Sequence, residues 1–176
     1  NDLETMGVAM LGTGEGSETG ASLAGNVDFN GDGTPDFAIG APGAEVDGNT
    51  GAGQVYLYFG GPSLVGGLAT DADVVISGDA VGRAAGAGMA LLEDLDEDGY
   101  GDLAIGAPRP GVNAVGLLYG GIQTASSIGI ADINARIQPE VGSGDSDFGR
   151  AIVSGGDATG DGRTEFLVGA AGWYGG

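Results

Sequence analysis

Three nine-residue acidic segments recur in this chain: DFNGDGTPD from Asp28 to Asp36, DLDEDGYGD from Asp94 to Asp102, and DATGDGRTE from Asp157 to Glu165. Each carries an oxygen-bearing side chain at positions 1, 3, 5 and 9 and a glycine at position 6. Oxygen donors at alternate positions of a tight loop are what a hard cation such as Ca²⁺ requires. In loop one the expected ligands are Asp28, Asn30, Asp32 and Asp36, with the backbone carbonyl of Thr34. In loop two they are Asp94, Asp96, Asp98 and Asp102, with the carbonyl of Tyr100. In loop three they are Asp157, Thr159, Asp161 and Glu165, with the carbonyl of Arg163. Gly33, Gly99 and Gly162 permit the sharp turn. Up to three Ca²⁺ ions are expected, and loop two, with four carboxylates among its ligands, is expected to bind most tightly.

The competing reading of such loops is a solvated acidic turn whose Asp and Asn side chains bond their own backbone. An EF-hand would need a bidentate Glu at position 12 and a following helix, yet position 12 is Ile39, Ile105 or Val168 inside a strand-like run. Mg²⁺ keeps more of its waters, and Zn²⁺ prefers the His and Cys that this chain lacks.

The elements that must hold these loops are short. An apolar run follows each one directly: FAIGAP, LAIGAP and FLVGAA. No segment keeps a 3.6-residue period over the length a helix needs, so the chain is expected to be all-β and nearly free of helix. Each repeat reads as four strands. Strand one precedes the loop (21–24, 87–92, 150–153) and strand two follows it (36–40, 102–106, 165–169). Strand three covers 54–59 and 115–119, each copy ending in Gly-Gly, and strand four covers 72–76 and 135–137. Val8, Met10 and Gly12 parallel Val74, Ile76 and Gly78 and read as the fourth strand of a preceding unit. Strand three alternates Val55, Leu57 and Phe59 with Tyr56 and Tyr58, so both of its faces are expected to be covered. Small four-stranded sheets stacked face to face describe propeller blades.

The composition narrows the function. The chain has 176 residues, 40 Gly, no Cys, no His, 25 acidic and 5 basic residues, and a formal charge of −20. All the basic residues are Arg. Such charge repels nucleic acid and anionic membrane surfaces, and three bound Ca²⁺ ions would offset six charges. Direct membrane insertion is not expected, because no stretch has the length of a membrane helix. Without His, Cys or Lys the usual catalytic bases and nucleophiles are missing, so no enzymatic activity is expected. Arg83, Arg136 and Arg150 read as surface ion pairs, and Arg109, Trp173 and Tyr174 as loop packing or a carbohydrate surface.

The chain resembles the FG-GAP repeat, the blade unit of integrin α-subunit β-propellers and of many bacterial surface proteins. The resemblance rests on Phe148-Gly149, replaced by Thr19-Gly20 and Ala85-Gly86 in the other repeats, and on Gly40-Ala41-Pro42 and Gly106-Ala107-Pro108. Gly169-Ala170-Ala171 departs at the proline. The family's D-x-[DN]-x-D-G-x-x-D pattern fits loops one and two in full, while loop three departs at Thr159 and Glu165. Read this way, residues 1–12 end in the outer strand of a preceding blade, 13–78 form repeat one, 79–141 repeat two and 142–176 a partial repeat three. That is about two and a half blades of four antiparallel strands, an incomplete propeller. Its terminal sheet faces would expose Val55, Leu57, Val115 and Leu117 or their neighbours.

The resemblance implies a calcium-binding extracellular or cell-surface adhesion or scaffold module. Its partners would be a protein or glycan ligand, or further copies or segments of the same protein. The alternatives are a subunit of a self-assembling surface filament and an accessory propeller region of a secreted polysaccharide-acting enzyme.

Overall fold

The computed structural model describes residues 9–12, 14–62, 64–108, 114–122, 124, 126–138 and 147–172. Val8, Arg109, Trp173 and Tyr174 therefore lie outside the described residues. In chain order the strands are β1 (Met10–Leu11), β2 (Ser22–Val27), β3 (Asp36–Ala41), β4 (Gln54–Tyr58), β5 (Gly67–Leu68), β6 (Val74–Ser77), β7 (Met89–Leu92), β8 (Asp102–Ala107), β9 (Ala114–Leu118), β10 (Ser126–Gly129), β11 (Ala135–Ile137), β12 (Ile152–Gly156) and β13 (Glu165–Val168). Among the described residues no α-helix occurs; the only helical turn is a 3₁₀ turn at Ala69–Asp71.

Each acidic loop joins two antiparallel strands: β2 to β3, β7 to β8, and β12 to β13. The first sheet then continues β3-β4-β6 and the second β8-β9-β11, all antiparallel. These are the four strands per repeat that the sequence predicts. One addition was not expected. β10, which belongs to the second repeat, runs parallel along the free edge of β6, giving the first sheet the order β10-β6-β4-β3-β2. β5 does the same to β1.

The two connections are built alike. Gly67 N–H donates to the Ala9 carbonyl at 3.1 Å, and Ser126 N–H donates to the Asp73 carbonyl at 2.9 Å. In each, the residue after the strand, Ala69 or Ile130, is buried. Each connection then ends on a side chain that accepts from the backbone where strand three finishes: Asp73 from Phe59 N–H, Asn134 from Tyr119 N–H, both at 2.8 Å.

The alternation in strand three buries both faces. Val55, Leu57, Val74 and Ile76 of the first sheet pack with Met89, Leu91, Leu103 and Ile105 of the second. Tyr56 and Tyr58 turn the other way, onto Ile39, Ala41, Phe37 and Met10. The Tyr58 ring stacks on Phe37 with centroids 4.9 Å apart, and its hydroxyl donates to the Ala69 carbonyl at 2.7 Å. Of the residues expected on exposed sheet faces, the four named ones, Val55, Leu57, Val115 and Leu117, are buried instead, at 0%, 0%, 0% and 8% exposure. They lie on the inner sides of the two seams between repeats. The large apolar residues left open lie elsewhere, including Leu23 at 70%, Val153 at 56% and Leu167 at 65%.

Candidate metal centres

Every loop closes on its first aspartate. Asp28 accepts from the backbone N–H of Gly31, Asp32 and Gly33 at 2.7, 3.2 and 2.8 Å. Asp94 accepts from Asp98 and Gly99 at 3.0 and 2.8 Å. Asp157 accepts from Gly160, Asp161 and Gly162 at 2.6, 3.0 and 2.9 Å. The side chain at position 5 then accepts from the N–H at position 7: Asp32 from Thr34, Asp98 from Tyr100 and Asp161 from Arg163. This frame needs left-handed backbone at positions 4 and 6. Glycine supplies it at Gly31, Gly33, Gly99, Gly160 and Gly162, whereas Glu97 adopts φ +65° despite its side chain.

The carboxylate at position 9 ties the loop to the rest of its sheet. Asp36 accepts from Phe29 and Asn30 N–H on one oxygen and from Gly60 N–H on the other. Asp102 accepts in the same way from Leu95 and Gly120. The first glycine of the Gly-Gly that ends strand three is thereby explained, because a Cβ on Gly60 would strike the Pro35 carbonyl and one on Gly120 the Gly101 carbonyl. In loop three the longer Glu165 reaches Thr159 instead, through its N–H at 2.9 Å and its hydroxyl at 3.2 Å.

Burial acts against these acids. It raises the pKa of Asp36, against the pull of its backbone donors, and pushes Asp102 up to about 6. Asp96 is also raised, by desolvation and by Asp98 and Asp94 beside it. Asp32 is lowered by the Thr34 N–H and the Asn30 amide.

Two loops gather three carboxylates each. Asp94, Asp96 and Asp102 bring one oxygen apiece within 4.8 Å of one another, as do Asp157, Asp161 and Glu165. An all-oxygen, carboxylate-rich donor set of this kind could hold a metal ion, and its chemistry suits a hard cation. Asp98 stands outside the loop-two trio. Loop one, although it has aspartates at positions 1, 5 and 9, does not bring three carboxylates this close; its Asn30 amide donates to Asp32 Oδ2 at 3.3 Å.

The FG-GAP repeat profile matches residues 19–58 and 85–120. The chain carries FG-GAP repeats. It is 37% identical to human integrin alpha-D over 173 residues, which cover 93% of this chain and 14% of that protein. It is 33% identical to Xenopus laevis integrin alpha-5 over 158 residues, 82% of this chain and 14% of that protein. Human integrin alpha-8 is 40% identical over 100 residues, 53% of this chain and 9% of that protein. The chain thus spans a small part of the length of these relatives, and its sheets are blades of the propeller type.

The motif that names the FG-GAP repeat has a physical basis here. Gly20, Gly86 and Gly149 have φ near +90° and donate to the carbonyls of Gly40, Gly106 and Gly169 at 2.9, 3.0 and 3.0 Å. The FG glycine and the GAP glycine of one repeat are therefore joined by a backbone hydrogen bond just before strand one begins. A Cβ on Gly40 would meet the Gly86 carbonyl, and one on Gly106 the Gly149 carbonyl. Gly40 and Gly106 are small because the next FG-GAP repeat sits directly on them.

Position 2 of the loops was missed as a functional position in the sequence. Phe29 is fully buried in the seam between repeats one and two, and Leu95 packs half-buried into the next seam. Ala158 is exposed. The signal was available: a large apolar residue between two polar ligand positions of a solvent-facing loop has no reason to be there unless it anchors the loop. The arginines also need correction. Arg83 is buried beside Asp79 at 3.4 Å, and Arg136 donates to the Ile130 carbonyl at 2.7 Å. Among the described residues, Arg150, 3.6 Å from Asp147, is the one of the three that forms the surface pair expected.

Proposed function

We propose that this chain is a Ca²⁺-stabilised propeller segment of an extracellular or cell-surface adhesion or scaffold protein. The observation that carries the reading is the convergence of three carboxylates in loop two, one of them a buried acid whose pKa is raised. Like charges packed this closely cost free energy unless a cation joins them. The cation would be held by Asp94, Asp96, Asp98 and Asp102 with the Tyr100 carbonyl, and at the other loops by the corresponding residues. What it supplies is charge neutralisation, which locks the turn between strands one and two. Metal bound to a site that the unfolded chain lacks becomes folding free energy. The loops would then present a rigid surface to a protein or glycan ligand.

Thermal melting with excess Ca²⁺ and with chelator tests this. The midpoint is expected to rise with Ca²⁺, and one site at a hundredfold excess over its Kd adds about 2.7 kcal/mol. An unchanged midpoint overturns the proposal. A second reading, stacking on further copies or segments of the same protein, is favoured by the exposure of Leu23, Val153 and Leu167. Light scattering tests that reading.

A further inference from the structure

Adjacent loops touch, and they do so by a rule. Tyr100, at position 7 of loop two, lays its ring against Gly31, at position 4 of loop one, in the space a side chain there would need. Arg163, at position 7 of loop three, pairs with Glu97, at position 4 of loop two, at 2.7 Å. In both seams position 7 of the later loop holds position 4 of the earlier one. Backbone and side-chain bonds reinforce this. Gly101 N–H donates to the Asp28 carbonyl at 2.9 Å and Gly121 N–H to the Phe29 carbonyl at 2.8 Å, while the Thr164 hydroxyl donates to Glu93 at 2.9 Å.

Both positions belong to the expected cation sites. Position 7 offers a backbone carbonyl, and its side chain is free to point at the neighbour. Position 4 sits in the left-handed turn that closes on the first aspartate: the Gly31 N–H bonds Asp28 directly, at 2.7 Å. Whatever orders residue 100 therefore presses on the turn that shapes loop one, and whatever orders residue 163 does so for loop two.

We propose that cation binding at adjacent loops is coupled, through the Tyr100–Gly31 contact between loops one and two and through the Arg163–Glu97 pair between loops two and three. The inference rests on the metal-binding reading above. Coupling is reciprocal, so filling loop two raises the affinity of loops one and three, and filling either raises that of loop two. The two links differ in kind. A ring against backbone is insensitive to salt, whereas an exposed ion pair is screened when the Debye length falls to about 3 Å at 1 M salt.

The test is a Ca²⁺ titration of the whole chain followed by NMR, with the amides of Gly33, Gly99 and Gly162 reporting the loops separately. Disabling loop two with Asp98→Ala is expected to move the Gly33 and Gly162 midpoints to about fivefold higher Ca²⁺, the lower end of usual coupling. With Tyr100→Ala the Gly33 midpoint loses its dependence on loop two, and Tyr100→Phe, which keeps the ring, restores it. With Glu97→Gln, or at high salt, the Gly162 midpoint loses its dependence while that of Gly33 keeps it.

Midpoints at Gly33 and Gly162 unmoved by Asp98→Ala, with Ca²⁺ still titrating all three loops of the wild type, would overturn the coupling and leave the metal-binding reading standing. No titration of any loop in the wild type would overturn both. Should Asp98→Ala fail to fold, the Tyr100→Phe and Glu97→Gln titrations against wild type still decide. Unchanged binding cooperativity in Glu97→Gln, together with equal values for Tyr100→Ala and Tyr100→Phe, would sink the proposal.

Discussion

The seam between repeats one and two and the seam between repeats two and three are made from the same motifs and differ in depth. In the first, whole sheet faces meet: Val55, Leu57, Val74 and Ile76 pack with Met89, Leu91, Leu103 and Ile105, with fully buried Phe29 driven in from the loop. In the second, Leu92, Ala104, Val115 and Leu117 are buried, but Phe148, Ile152, Phe166 and Val168 opposite them are only partly covered. The loop contacts follow the same gradient, from a ring and two backbone bonds to an ion pair whose side chains are 71% and 70% exposed. A loop motif therefore sets local geometry, while the sheets on either side decide how firmly it is held.

The largest break in this comparison should come from the core. Leu57→Ala, at a fully buried site in the first seam, is expected to cost about 3 kcal/mol in urea unfolding. Val168→Ala, on the half-buried face of the second seam, is expected to cost about 1 kcal/mol. Equal losses would show that the seams do not differ in depth.

Next in size is the comparison of the loops as cation sites. In excess Ca²⁺, Asp98→Ala should lower the melting midpoint more than Thr159→Ala, since ligand charge tunes affinity. The reverse order would place the stronger site in loop three.

A pH series in chelator sharpens the contrast between buried and exposed acids. The Asp102 pKa is raised from 3.8 to about 6 by burial. Its folded form holds the proton more tightly than its unfolded form, so its contribution is fully present below 3.8 and is lost as pH rises through about 6. Asp102→Asn should remove that part of the slope, flattening stability between those values by something on the order of 1 kcal/mol. An unchanged slope in that variant would show that this buried acid behaves like an exposed one.

The smallest effect concerns Glu97. Its left-handed backbone costs about 1 kcal/mol relative to glycine, and its exposed pair with Arg163 returns less than that. Glu97→Gly is therefore expected to raise the metal-free midpoint slightly. A fall would mean that the Arg163 link contributes more than an exposed pair usually does.

Much of this was legible in the sequence because it is local. The acidic loops, the strands flanking them and the alternation of Val55, Tyr56, Leu57 and Tyr58 are each written within a dozen residues. β5 and β10 were not legible. Gly67-Leu68 and Ser126–Gly129 have no apolar alternation of their own, and they are strands only because β1 and β6 offer unpaired edges. Arg83 was misread for a similar reason, since nothing in its neighbours signals that the stretch carrying it folds inward. Within the loops, the roles of positions 2, 4 and 7 depend on the adjacent repeat and become visible only when the two are side by side.

The back-reaching strand has a consequence for how such proteins can change. The stretch that recurs in the sequence and the sheet that folds are out of phase, because the edge of one blade is closed by a segment written in the following repeat. A gene segment cut at the end of β6 would encode a blade with a bare edge, and one beginning there would carry a β10 with no strand to pair. Recombination that preserves the fold must exchange blocks whose ends fall beyond the connection, so that every outer strand travels with the residues that close it.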